Sequence, residues 1–324
     1  IRSEEASYTF EGLEKDSVHT ITVRVEDAAG NISETKNKEV IVGYKAGGYI
    51  LASANPPTSH TTDWTGEESY YYTGNPNNWV QFAGFWWRII RINGDGSIRM
   101  IYAGTNNAST SDDTLGTSEF NSSYNNNMYV GYMYQSGQLH GLQTSSAIKG
   151  VLDNWYTNNI ANKGYGGYID GNAGFCGDRR TSSGSGTGTS STDYQPYTRI
   201  KNGSPSLTCQ TEDIYTTSGS STGNKALTQP IGLISADEAM LAGIPNLGSS
   251  NSNNYLYTGN HYWTMSPYNF NGSNAFVFGV WSDGYLSYIR VVGKNGVRPV
   301  INLCSDVELT GEGTSTNPFK VVGA

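Results

Sequence analysis

The chain has 324 residues, a formal net charge of −8 and only 15% charged residues, with 36% in the hydrophobic set. No cluster of Lys and Arg is available to release counterions from a phosphate backbone, so nucleic-acid binding is not expected. No apolar run approaches the roughly 20 residues of a membrane-spanning helix, so direct membrane insertion is not expected either. The 23 Tyr, 7 Trp and 9 Phe supply the large apolar surfaces that disordered segments lack. Asn, Ser, Thr and 40 Gly carry the polar balance, which favours turns and short strands over long helices. Ile1 is not an initiator Met and no signal peptide opens the chain, so a piece of a longer exported protein is expected.

Residues 1–43 read as strands separated by turns. The stretch 17–26 (SVHTITVRVE) alternates as a half-buried strand, 27–31 is a turn, and 38–42 begins another strand. From Tyr44 the texture becomes dense in aromatics, Asn and Gly. Residues 85–92 (FWWRIIRI) form an apolar run broken only by Arg, expected as a central strand buried on both faces. A turn at 93–96 returns the chain antiparallel over 97–102. Helical spacing of Ile148, Val151, Leu152, Trp155 and Tyr156 predicts a helix within 145–156. Ser235 and Glu238 form a capping-box pair for a second short helix that Gly243 stops. Residues 181–192 and 216–224 read as low-complexity loops.

The C-terminal third carries a hairpin signal. Asp283-Gly284 between two apolar runs predicts a two-residue type I′ turn. That turn pairs Ser282 with Tyr285, Trp281 with Leu286, Val280 with Ser287, Gly279 with Tyr288, and Phe278 with Ile289. Trp281, Gly279, Tyr288 and Arg290 would then share one face, leaving Phe276, Phe278, Val280 and Ile289 to the core.

The three cysteines are Cys176, Cys209 and Cys304, with no CxxC pair, and His19, His60, His140 and His261 are scattered. A structural zinc site has little support from such spacing. Cys176 and Cys209 flank the Ser/Gly/Thr-rich stretch, so a disulfide stapling a long loop is expected, with two buried free thiols as the alternative. Cys304 follows the apolar run 300–303 and reads as a small buried residue.

Several segments carry a family resemblance. The order YWTMSP (262–267), NAFVFGVWSDGYLS (274–287), GVRPVINL (296–303) and GEGTSTNPFKV (311–321) resembles Firmicutes surface proteins with a C-type-lectin-like domain. The segments 70–102 and 232–243 match the same pattern, so the resemblance covers about residues 49–324. It implies an α+β fold shared with the formylglycine-generating enzyme and with variable proteins diversified by retroelements. YTFEGL (8–13) and VRVEDAAGN (23–31) resemble the C-terminal half of a bacterial Ig-like repeat. The organisation expected is therefore residues 1–43 as part of an Ig-like stalk domain and residues 44–324 as a C-type-lectin-like ligand-binding domain. A fold of this kind hosts unrelated functions, so the activity must be argued from a site.

The ligand surface is expected on the segment 268–295, where Tyr, Trp and Arg alternate with small polar residues as in a paratope. Its residues are Tyr268, Phe270, Gly279, Trp281, Tyr285, Ser287, Tyr288 and Arg290. The competing reading packs half of these aromatics into the core. Calcium-dependent sugar binding is weakly supported. Trp281-Ser282-Asp283 and Asn75-Pro76-Asn77 resemble lectin elements only in part, and no acidic cluster offers the about six to eight oxygens that calcium takes. No Ser/His/Asp or Cys/His signature is present, and Asp112-Asp113 and Asp178-Arg179-Arg180 read as surface carboxylates and a salt-bridged loop base. No catalytic residue, metal or cofactor is therefore expected. Retroelement diversification substitutes at adenines of Asn codons, a route that cannot produce Trp281 or Lys294. The function expected is extracellular ligand binding or adhesion at a bacterial surface, with a glycan or protein on a host cell, neighbouring bacterium or phage as partner. A purely structural surface domain and, more remotely, a formylglycine-generating-type oxidase are the alternatives.

Overall fold

The computed structural model describes residues 17–42, 46–106, 113–246 and 248–324. Residues 8–13, part of the Ig-like resemblance, and Tyr44 and Asp112 lie outside them. Strand β1 (Ser17–Val23) pairs antiparallel with β2 (Lys36–Val42), from Ser17 opposite Val42 to Val23 opposite Lys36. The turn expected at 27–31 is present, and the Asp27 carboxylate accepts from the Ala29 and Asn31 amides. The expected strand forms over Ser17–Val23, with Ile21 half-buried between exposed Thr20 and Thr22. Val23, Val25 and Ile32 are exposed, because among the described residues the two-stranded ribbon has no second layer over this face.

The remaining chain is mixed α+β, dominated by two sheets. Helix α1 (Ala46–Leu51) leads into β3 (Ser59–Thr62), β4 (Glu68–Tyr71), β5 (Trp79–Phe82), β6 (Phe85–Ile92) and β7 (Ile98–Tyr102). Then come α2 (Ala147–Asn159), β8 (Thr181–Ser183), β9 (Thr192–Tyr194), α3 (Gln195–Lys201) and α4 (Ala236–Leu241). The chain ends with β10 (Tyr262–Phe270), β11 (Ala275–Val280), β12 (Leu286–Arg290), β13 (Val300–Leu303), β14 (Leu309–Thr310) and β15 (Phe319–Val321). The larger sheet runs β13-β7-β6-β5-β15-β14, with β4 joined to β6 and β3 to β4. The smaller runs β8-β9-β10-β11-β12.

The apolar run 85–92 is the central strand expected of it. β6 pairs with β7 on one side and with β5 and β4 on the other, and its last six residues are buried. Trp87 is fully buried against Trp155 of α2, ring centroids 6.1 Å apart. Helix α2 starts where Ser146 accepts from the Lys149 amide and buries Ile148, Leu152 and Tyr156, whereas Val151, expected on that face, is 38% exposed. One apolar cluster joins Trp87, Ile89 and Ile101 of the larger sheet to Trp263, Val277 and Leu286 of the smaller.

The capping box of α4 forms as expected, with Ser235 Oγ accepting from the Glu238 amide and Glu238 accepting from the Ser235 amide. Glu238 does more than cap. Its carboxylate, 3% exposed, accepts from Arg91 Nε at 3.1 Å and from Arg99 Nη2 at 3.3 Å, and Asp63 lies 3.6 Å from Arg91. Arg91 and Arg99, two of the three arginines that interrupt the β6 and β7 apolar runs, are therefore buried because α4 delivers a carboxylate to them.

Cys176 and Cys209 form the expected disulfide, with Cα atoms 6.0 Å apart. The segment between them is not a loose loop. Within it β8 and β9 pair, β9 joins β10 through Thr192 opposite Phe270, and α3 follows. Three carbonyls of the connecting turn, at Thr187, Gly188 and Ser190, accept from the Asn127 side-chain amide, which fixes a sequence that composition alone reads as irregular. Cys304 is half-buried rather than fully buried, and burial, then Asp170 and Asp306, push its thiol pKa up to about 11.

Candidate ligand-binding site

The β11–β12 hairpin closes one residue differently from the two-residue expectation. The Trp281 amide donates to the Tyr285 carbonyl and the Gly284 amide to the Trp281 carbonyl, each at 2.8 Å. Ser282, Asp283 and Gly284 thus make a three-residue loop, with Gly284 at φ +77°. Such a loop is a turn followed by a left-handed residue, a role glycine fills without a Cβ penalty. The observed register pairs Val280 with Leu286, Gly279 with Ser287, Phe278 with Tyr288, Val277 with Ile289 and Phe276 with Arg290. Because side chains alternate with period two, the one-residue slip moves Tyr288 and Arg290 to the face of Phe276 and Phe278.

This register divides the expected ligand-facing residues into three groups. Phe270, Gly279 and Ser287 are buried, so they do not form surface. At Gly279 a Cβ would lie 2.3 Å from Ile289 Cδ1 and 2.9 Å from the Tyr262 carbonyl, so the glycine serves close packing. Trp281 and Tyr285 sit together at the hairpin tip. Tyr268, Tyr288 and Arg290 lie along the sheet face.

At the tip, the Tyr285 ring stacks on Trp281 with centroids 5.6 Å apart and planes 19° apart. His261 meets the same indole edge-on at 4.7 Å, and its Nδ1 accepts from the Ser282 amide at 3.3 Å. That acceptor role places the neutral ring's proton on Nε2. A loop preceding β10 closes over the tip, anchored by the Asn251 amide on the Gly284 carbonyl at 3.2 Å and by the Asn251 side chain on the Gly243 carbonyl at 3.0 Å. Between loop and tip lies an open cleft of about 550 Å³, walled by Tyr257 and Tyr285, by Gly248, Ser249, Ser250 and Ser252, and by Asp283. Aromatic walls with a few convergent polar groups are the usual make-up of a small-ligand site. Sequence reasoning missed Tyr257 and the three serines, which reach the cleft only because Asn251 pins their loop.

Along the sheet, aromatic rings form a continuous row. Tyr197 of α3 meets Tyr268 at 4.7 Å, Tyr268 meets Tyr288 at 5.1 Å, and Tyr288 meets Phe276 at 5.4 Å. Tyr288 is 46% exposed. Burial, then the neighbouring Tyr197 and Tyr288, push the Tyr268 hydroxyl up to about 12. Arg290 lies with its guanidinium 3.8 Å from the centre of the Tyr124 ring, and Lys201 Nζ is 5.5 Å from that of Tyr197. Tyr124, Tyr197 and Lys201 are distant in sequence from the hairpin and carry no local signal of this role.

The other polar concentrations are structural. Asp178 accepts from Arg180 at 2.7 and 2.9 Å and from Arg199 at 2.7 Å, while Arg199 also pairs with Asp237, so the salt-bridged loop base expected at 178–180 is present. Arg179 turns the other way onto buried Asp213. A cavity of about 10 Å³ beside Asp178, Asp237 and Cys176 holds no more than one water. Among the described residues, no group of three or more His, Cys, Asp or Glu is placed to hold a metal ion. Cys176, which lines that cavity, is bonded to Cys209.

Comparison of the chain with protein-family models, with curated proteins and with solved structures returned no match.

Proposed function

We propose that this chain is an extracellular recognition module whose principal ligand occupies the cleft between Tyr257 and the hairpin tip. The observation that carries the reading is the cleft itself. Its Tyr285 ring is held before a ligand arrives, since Tyr285 rests on Trp281 and Trp281 on His261. Prior ordering of rings lowers the entropic cost of binding. A glycan suits these walls better than a flat protein surface does. Tyr rings stack on the C–H face of a sugar, and serine hydroxyls with one carboxylate match its hydroxyls. The disulfide is consistent with an oxidising compartment such as the outside of a bacterial cell.

The resemblance of residues 49–324 to C-type-lectin-like surface proteins supports the same reading, and the hairpin with its tip belongs to the region those proteins use for recognition. Diversification by a retroelement would be compatible with Ser282, Asp283 and Tyr285, all reachable from an Asn codon by adenine substitution, with Trp281 as fixed support beneath them. A surface scaffold without a specific ligand is the second reading, favoured by the burial of Phe270, Gly279 and Ser287.

A glycan array followed by titration calorimetry tests the proposal. Tyr257→Ala and Tyr285→Ala are each expected to weaken the best glycan by about tenfold or more. Equal binding by wild type and both variants, with melting temperatures unchanged, would remove the cleft as the site.

A further inference from the structure

We propose that the aromatic row on the sheet face is a second, separate binding surface, and that it takes an acidic polysaccharide. Its tyrosine rings would stack on the sugars while Arg290 and Lys201 pair with carboxylate or sulfate groups.

The row shares no residue with the cleft. It passes from Tyr197 through Tyr268 and Tyr288 to Phe276, and Phe276 lies directly across the strand pair from Arg290. The exposed Tyr288 and Tyr124 rings are among the few large apolar groups that the described surface leaves open. Adjoining rings that are partly open to solvent make a stacking platform.

Charge selects the ligand. The chain as a whole is acidic, with a formal charge of −8, yet each end of this row carries a cation. Among the described residues, Arg91, Arg99, Arg179, Arg180 and Arg199 are ion-paired. Arg88 and Arg298 are buried and donate to buried or half-buried oxygens. Arg290 differs from these, because it is exposed, as Arg24 of the β1–β2 ribbon also is, and its guanidinium carbon lies 3.8 Å from the centre of the Tyr124 ring. An exposed guanidinium held against a ring can pair with a carboxylate or sulfate through its N–H donors. Lys201, also exposed, marks the other end beside Tyr197. Asp193, near enough to Tyr268 to oppose ionisation of its hydroxyl, is engaged by Ser183 at 3.1 Å.

An acidic peptide is less well suited. A peptide adding to the sheet would need the open edge of β12. That edge is closed at Leu286, whose amide donates to Pro245, and at Val291, whose carbonyl accepts from the Phe120 and Asn121 amides. The short stretch between them gives little length for strand addition.

The test uses an oligogalacturonate of about eight units and its carboxyl-reduced neutral counterpart, titrated into the whole chain. The acidic oligomer should bind, and raising salt from about 50 to about 300 mM should weaken it several-fold. Arg290→Gln and Tyr288→Ala should each weaken it by about tenfold. Both side chains are exposed, so the variants should melt with the wild type, and Tyr257→Ala should bind the acidic oligomer normally. Equal affinity for the neutral oligomer, indifference to Arg290→Gln and Tyr288→Ala, or no binding at millimolar oligomer would each overturn the proposal. Binding of oligoglutamate with the same dependence on Arg290 and Tyr288 would overturn the saccharide assignment. Loss of glycan binding in Tyr257→Ala alone bears on the cleft and leaves this surface untouched.

Discussion

The Asn251 carbonyl oxygen lies 2.5 Å from where a Cβ on Gly284 would sit. Gly284 also holds φ +77°, so the hairpin tip and the loop above it can meet only if this residue has no side chain. Gly284→Ala is therefore expected to cost about 2 kcal/mol, roughly half from the left-handed backbone and the rest from displacing Asn251. Because Asn251 carries the serine wall of the cleft, ligand affinity should fall as well. Chemical denaturation and calorimetry on one sample would check both. An alanine variant that is as stable as wild type would show that the loop does not depend on this contact.

Tyr285 separates stacking from hydrogen bonding. Tyr285→Phe keeps the ring on Trp281 and should retain most of the affinity for a glycan. Tyr285→Ala removes the platform and should cost about 1–2 kcal/mol. The measurement is calorimetric titration of the best array glycan against both variants. A phenylalanine variant as weak as the alanine one would mean that the hydroxyl, not the ring face, holds the ligand.

What the sequence disclosed, and what it hid, follows from the range of the forces involved. The 85–92 strand, the capping box at Ser235 and Glu238, the Cys176–Cys209 bond and the Asp178–Arg180 pair are all readable from local patterns. The hairpin was readable as a hairpin, but Asp-Gly suits both a two-residue loop and the turn-plus-glycine of a three-residue one, and the choice inverts one strand. Docking of Asn251 on Gly284 sits with the three-residue loop, and that contact comes from a segment about 30 residues away. The same limit hid Tyr257, Tyr197 and Tyr124, whose roles exist only through partners far along the chain. The 181–192 segment read as a loose loop because nothing local shows that Asn127 ties down its turn.

The disulfide closes a span of 33 residues that contains β8, β9 and α3. On loop-closure entropy it should contribute about 3–4 kcal/mol. Cys176→Ser with Cys209→Ser, or reduction by dithiothreitol, is therefore expected to lower the melting temperature by several degrees. Tyr197 rides on α3 within this span, so loss of the bond should loosen the aromatic row more than the hairpin-tip cleft. Hydrogen exchange across α3 and β12, compared between oxidised and reduced protein, reads that difference. Uniform loosening would argue that the bond acts on the unfolded chain alone.

Acid should weaken this fold through three buried carboxylates. Burial alone would raise the pKa of Glu238, but Arg99, Arg91 and the Ser235 amide together hold it below its ordinary 4.5. Asp63 is likewise held below 3.8, against burial, by Thr65, Ser69 and Arg91. For Asp213 burial is outweighed by His140 and Arg179. A carboxyl with a folded pKa below its unfolded value binds fewer protons when folded, so its contribution is complete above the unfolded value and lost as pH falls through the folded one. Stability from these groups should therefore hold at neutral pH and decline progressively below about pH 4.5, steepening under pH 4. Glu238→Gln removes the counter-charge from two buried guanidinium groups and should cost about 3–5 kcal/mol at neutral pH. The same variant should lose less on acidification than wild type, since one of the titrating groups is gone. Urea denaturation at a series of pH values between neutrality and pH 3 measures both. Parallel curves for wild type and Glu238→Gln would show that the Arg91–Glu238–Arg99 cluster is not a source of the acid sensitivity.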